Sequence, residues 1–352
     1  MSVLPAASTT QPVHSQRGTL AVLSALAFVS LLVFAAAGLA GSVPVPLADL
    51  PQAFISLVAG EPSGMSATLL DLRLGRASAA FATGAALALA GVMMQALVRN
   101  PLADPYVLGV SAGAAVGALA ALLFGAALWM VDLGALAGAV GISLLLYLLA
   151  RRDLGGGRGA VRTGESGVLL LTGVVLASAC MALVTLMLSV APESRLRGMV
   201  FWMIGDLAGS SWRLLPWLVL AAAVLLALCR ARSLNVMALH ADAAAALGVD
   251  VPAQRRFLFL CSGLLTACAV TSGGSIGFVG LVVPHACRYA FGPDHRILLP
   301  AATLVGGSFL VLADTLARTV LAPQQLPVGV LTSLIGVPVF LFQLHQLHLR
   351  RR

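Results

Sequence analysis

Apolar residues in this chain fall into long unbroken runs, with neither the every-other-residue alternation of a half-buried strand nor the one-sided stripe of a surface helix. The clearest run, 77–98, is about twenty residues without a charge, bounded by Arg73 and Arg76 before it and Arg99 after it. A hydrocarbon core about 30 Å thick needs roughly twenty apolar residues in a helix, so this run predicts one membrane crossing. Runs of the same kind cover 19–40, 106–124, 126–150, 167–191, 214–229, 257–270, 276–291, 297–313 and 328–347. Together they predict an all-α polytopic membrane protein of about ten transmembrane helices, organised as one membrane domain over 19–349 between a polar tail, 1–18, and a basic tail, 350–352. The first run is too long for the apolar part of a cleaved signal peptide.

The segments between the runs carry the punctuation. Asn100 to Pro105 cannot be helical throughout, because Pro101 and Pro105 lack amide donors and push the residues before them towards extended backbone. A shaped loop at the membrane face is expected there. Behind it Gly109, Gly113 and Gly117 recur every four residues on one helix face, the spacing that lets two membrane helices touch backbone to backbone. Segment 41–70 reads as an outer loop with an interfacial helix, and 192–212 as a second short helix lying at the interface. Segment 234–250 reads as one amphipathic helix on the opposite side, with alanines favouring helix and Gly248 placed to stop it.

Composition agrees with the pattern. Of 352 residues 60% are hydrophobic and 10% charged, and the mean hydropathy is +1.00, against about 25% charged residues in globular domains. The net charge of +8 is no sign of nucleic acid here, because the charges sit in short loops and report orientation. With both termini in the cytoplasm, fifteen of the 21 basic residues fall inside and six outside, the six being Arg73, Arg76, Arg195, Arg197, Arg213 and Arg318. That bias predicts a multi-pass membrane protein with cytoplasmic ends.

Missing residue types exclude several functions. All 21 basic residues are arginine, and a phosphate-binding loop needs a lysine to reach the β- and γ-phosphates, so any ATP and its Mg must be handled by a separate subunit. The run centres lack the Asp, Glu or His that ion-coupled carriers place at the midplane, and lack the nucleophile–base pairs or metal ligands of an intramembrane enzyme. The five cysteines, Cys180, Cys229, Cys261, Cys268 and Cys287, lack metal-type spacing and read as small buried hydrophobes. His285 and the pair His345 and His348 sit near helix ends, where carbonyl bonding and an interfacial tail account for them. No resident cofactor or metal is expected.

The motifs carry a resemblance. R-x-x-R at Arg73 and Arg76, a span ending G-x-x-x-Q at Gly91 and Gln95, N-P-L-A-D-P at 100–105 and L-G-V-S-A-G-A at 108–114 closely resemble the permeases that import iron–siderophore complexes, haem and vitamin B12. These are the large type II importers of the ATP-binding-cassette class, and the resemblance runs from about 19 to 345. It implies a homodimer with the substrate path on its two-fold axis, two ATPase subunits, a periplasmic substrate-binding protein and surrounding lipid as partners. Arg73, Arg76 and Arg318, which composition alone reads as headgroup anchors or an exposed carboxylate-binding rim, match arginines that dock the binding protein. Segment 234–250 matches the family's ATPase-coupling element, with Leu239, His240, Asp242, Leu247 and Gly248 as its key positions; His240 stands where glycine is common, and Ala241 and Ala245 replace polar residues. Asn100 and Leu102, faced by Ser166, match a cytoplasmic gate, and Thr172, Ser178, Met181 and Thr185 match a pathway wall. Among cargoes, the expectation places haem or a ferric siderophore ahead of cobalamin.

Overall fold

The computed structural model describes residues 16–60, 63–154, 166–210, 213–239 and 241–350. In chain order its helices are α1 (Gln16–Leu39), α2 (Leu50–Val58), α3 (Met65–Val98), α4 (Val110–Leu123), α5 (Leu128–Leu154), α6 (Ser166–Val190) and α7 (Glu193–Ile204). There follow α8 (Leu214–Cys229), α9 (Ala231–Leu239), α10 (Ala241–Ala246), α11 (Val251–Gly273), α12 (Val279–Phe291), α13 (His295–Thr319) and α14 (Val328–Arg350). No strand occurs among the described residues. The fold is that of an all-α polytopic membrane protein.

The 34-residue α3 is the axis of the bundle, and 89% of its most apolar window is buried. Its composition explains this: alanine and glycine give it a narrow, uniformly apolar surface, and a helix apolar all round belongs in an interior. Helices α1, α11, α12 and α13 pack round it. At the closest crossings the backbones touch. A Cβ added at Gly84 would lie 2.3 Å from the Gly306 carbonyl of α13, and one at Gly91 would lie 1.9 Å from the Gly280 carbonyl of α12. The expected glycine comb behaves the same way, with Gly113 against Gly138 and Gly117 against Gly134 where α4 meets α5. In a membrane no hydrophobic gradient drives helices together, so close approach and dispersion do.

All ten apolar runs are helical, but they are not ten full spans. Among the described residues seven helices are long and apolar enough to cross a membrane, and α8 with α9 adds one more if the 59° bend between them lies within a single span. Helices α4, of 14 residues, and α12, of 13, are too short. The missing length is non-helical backbone held at depth. Gly280, at the start of α12, lies against both Pro105 and the Leu87 carbonyl, the contacts of an added Cβ being 2.9 and 3.0 Å. Leu87 is eleven residues, about 16 Å, inside the Val98 end of α3. The loop after α3 therefore starts at the bundle surface, where Asn100 and Leu102 are exposed, and climbs back inside by Pro105. It is a re-entrant segment, where a turn confined to the membrane face is the simpler reading of the sequence. Irregular backbone survives at such depth only when protein buries it and satisfies its polar groups.

The short helices expected within 41–70 and 192–212 are α2 and α7. In segment 234–250, expected as one helix, the described residues on either side of 240 are helical, as α9 and α10; Gly248 follows at φ +80°, a left-handed turn just past the end of α10. Of the cysteines, Cys180 and Cys287 are buried as expected, whereas Cys229 is exposed at the end of α8.

Candidate functional site

Four places in the bundle bear on function. The first is the end where α3 begins and α13 finishes. Arg73, Arg76 and Arg318 meet there, but not as a free rim: each is only 6–7% exposed. Arg73 donates to the carbonyls of Gly38, Leu39 and Val43, closing the C-terminal end of α1, where orphan carbonyls carry the negative end of the helix dipole. Arg76 forks onto Asp314: Nε lies 3.0 Å from both carboxylate oxygens and Nη2 2.8 Å from Oδ1, while Nη1 donates to the Gln325 amide oxygen at 2.7 Å. Arg318, one helical turn beyond Asp314, places its Nε 3.2 Å from Oδ2 and reaches the Ala37 carbonyl with Nη2 at 3.3 Å. One carboxylate thus serves two guanidiniums, and the three arginines keep a surplus of positive charge. Asp314 lies just past the last residue of the ninth apolar run, and the i, i+4 spacing of Asp314 and Arg318 was the available signal for it.

The remaining outer arginines have internal roles too. Arg195 donates to the Leu123 carbonyl at the end of α4, Arg197 stacks over Phe201 at 5.3 Å, and Arg213 pairs with Asp132 at 2.7 Å.

The second place is the junction of the two re-entrant segments. The Tyr106 hydroxyl accepts from the Ile276 amide at 3.0 Å and donates to the Ile276 carbonyl at 2.9 Å, completing both polar groups of a residue outside any helix. Ser111 and Ser275 bond through their hydroxyls at 2.9 Å, and Asp104 takes the Tyr106 amide at 2.7 Å. The same junction presses Phe278, at φ +68°, onto Gly336 of α14, so the break between α11 and α12 is wedged between the re-entrant loop and the last helix.

The third place is the outward stripe of α6. Ser178, Met181 and Thr185 lie on one exposed face, and the hydroxyls of Ser178 and Thr185 donate back to the Val174 and Met181 carbonyls, each at 2.9 Å. A face whose hydroxyls are satisfied within its own helix offers little to hold a polar cargo. Thr172 is half-buried and, at about 100° per residue, stands roughly 120–180° from the three residues of that stripe.

The fourth place is the pair α9 and α10. Helix α9 buries Ala231, Leu234 and Met237 in the bundle, whereas Leu239 and Leu247 stand 62% and 67% exposed. His240 lies outside the described residues, as do the side chains of Asp242 and Ser166. At the base of the bundle Asn100 is exposed, its side-chain oxygen accepting from the Leu102 amide at 3.0 Å in a local turn.

The model of the FecCD transport family matches residues 26–346. The chain belongs to the FecCD transport family. Two relatives of this FecCD protein are the vitamin B12 import system permease proteins BtuC of Escherichia coli O127:H6 and O139:H28. Each is 42% identical over 279 residues, covering 78% of this chain and 82% of the relative. A solved inward-facing structure of a metal-chelate type ABC transporter superposes with a TM-score of 0.79 at 30% identity, covering 93% of this chain and 99% of its own. PsaBC from Streptococcus pneumoniae, solved with a Fab, shares the fold at a TM-score of 0.54 and 16% identity, over 84% of this chain and 95% of its own. This FecCD chain is thus a permease of the type II ABC importer class, a family of conduits that are not themselves catalysts.

Proposed function

We propose that the chain is the membrane permease of an ATP-driven importer whose cargo is cobalamin or a close corrinoid. The observation that carries the cargo is the 42% identity, over more than three quarters of both chains, to permeases of vitamin B12 import. It reverses the order that the motif resemblance suggests, in which iron chelates come first. The metal-chelate neighbour is compatible with either cargo, since cobalamin is itself a cobalt chelate.

The geometry supports the division of labour. The exposed Leu239 at the end of α9 and Leu247 just past α10 are apolar knobs that suit a cleft on an ATPase subunit. The exposed stripe of α6 suits the wall of a path between two copies, because a bulky cargo passes a wall that does not bind it. At the other end, the arginine cluster acts on an acidic binding protein through its surplus field, its guanidiniums being already committed internally. In the inner membrane that end faces the periplasm.

Uptake of labelled cobalamin, a ferric siderophore and haem is compared in proteoliposomes holding the chain, its ATPase subunits and its binding protein. ATP-dependent cobalamin accumulation is the expected result. Accumulation of an iron chelate in its place overturns the cargo, and uptake that needs no ATPase overturns the importer.

A further inference from the structure

We propose that Asn235 is the positioning residue through which movement of the coupling segment reaches α13, and through α13 the arginine cluster at the far end. This rests on the reading of α9 and α10 as the ATPase-coupling segment.

Asn235 sits half-buried on α9, beside the buried Leu234, and both ends of its amide are bonded. Nδ2 donates to the Asp294 carboxylate at 2.6 Å; Oδ1 accepts from the His295 backbone amide at 2.8 Å and meets the His295 Nδ1 at 2.7 Å. Only one orientation of the amide satisfies this set, because a carboxylate can only accept and a backbone N–H can only donate. Asp294 is the N-cap of α13, taking the Arg296 amide at 2.9 Å. Burial raises its carboxyl, but the bonds from the Arg296 amide and Asn235, with the nearby Arg296 charge, outweigh this and hold it below the ordinary range. A single side chain on α9 therefore grips the first residue of α13 and the cap before it, 60 and 59 residues further along the chain.

What α9 grips is a rod. Helix α13 runs unbroken for 25 residues, its ladder missing one donor at Pro300. Midway, Gly306 and Gly307 lie so close to Gly84, Ala88 and Phe81 of α3 that added Cβ atoms would clash at 2.4 to 2.7 Å. At its other end Asp314, about 28 Å from His295 along the axis, holds Arg76 and Arg318. Such a contact cannot stretch: an amide bond at 2.6 Å breaks or follows. Near this junction Arg230, at the end of α8, lies over Phe257 of α11 at 4.0 Å and so does not link α9 to α13. Asn235 is thus a polar connection, among the described residues, from α9 to the helix that carries the outer carboxylate.

The test uses the full complex of permease, ATPase subunits and binding protein in proteoliposomes, with Asn235→Ala compared to wild type. The expected result is normal co-purification of the ATPase, retained basal ATP hydrolysis, loss of its stimulation by the binding protein, and about tenfold less substrate moved per ATP. An unchanged ratio overturns the proposal, and so does a proportional fall of hydrolysis and transport, which marks a merely structural role. Failure of the ATPase to associate with the wild-type chain refutes the coupling reading itself. Hydrogen exchange of amides 295–298 in the wild-type complex removes dependence on the variant: protection that changes when a non-hydrolysable ATP analogue binds supports the tie, and protection that does not change overturns it.

Discussion

Arg76 and Asp314 stand 238 residues apart and form a buried forked ion pair, with Nη2 2.8 Å from Oδ1 and side chains 9% and 1% exposed. The pair joins α3 to α13 at one end of the bundle, and Asp314 at the same time compensates Arg318. Removing one partner of a buried pair is costly because the other charge is left without solvent or counterion. Asp314→Ala strands two guanidiniums, and a loss of roughly 3–5 kcal/mol is expected, read as a lower melting temperature in detergent. Adding Arg76→Ala should recover part of it. A double variant no better than the single one refutes the pairing energy.

Close backbone crossings give a second expectation. Gly91→Ala places a methyl carbon 1.9 Å from the Gly280 carbonyl, which neither helix can evade without separating, so folded protein should fall sharply on size exclusion. Gly141→Ala on α5 is the control, because nothing lies within 4 Å of the added carbon; there the helix should gain about 0.5–1 kcal/mol.

Tyr106→Phe keeps the ring and removes the hydroxyl that serves both polar groups of Ile276. Each backbone group left unpaired at depth costs about 1–3 kcal/mol. Thermal melting should drop accordingly, and protection from hydrogen exchange should fall first around residues 274–278. Unaltered protection there would mean that the hydroxyl does not hold the break.

The outward stripe of α6 gives the last. With the five native cysteines replaced, Met181→Cys, at a position 43% exposed, should cross-link between two copies in membranes. Protein that remains monomeric under oxidation argues against a path shared between copies.

Much of this molecule can be read from one dimension. Membrane class, ten helical runs, the comb of Gly109, Gly113 and Gly117, the break at Pro101 and the stop at Gly248 all depend on hydrophobicity, donor loss and local spacing, which neighbouring residues determine together. Depth and pairing do not. Tyr106 and Ile276 meet inside the bundle only because α4 and α12 are both cut short against α3, and no run length announces that. Likewise Arg73, Arg76 and Arg318 look like a free rim in sequence, since a carboxylate 238 residues away, or a carbonyl at the end of α1, becomes a partner only when the helices cross. Asn235 is one polar residue among many until the start of α13 is brought against it. Burial of a charge is decided by its long-range neighbours, and those belong to the tertiary structure alone.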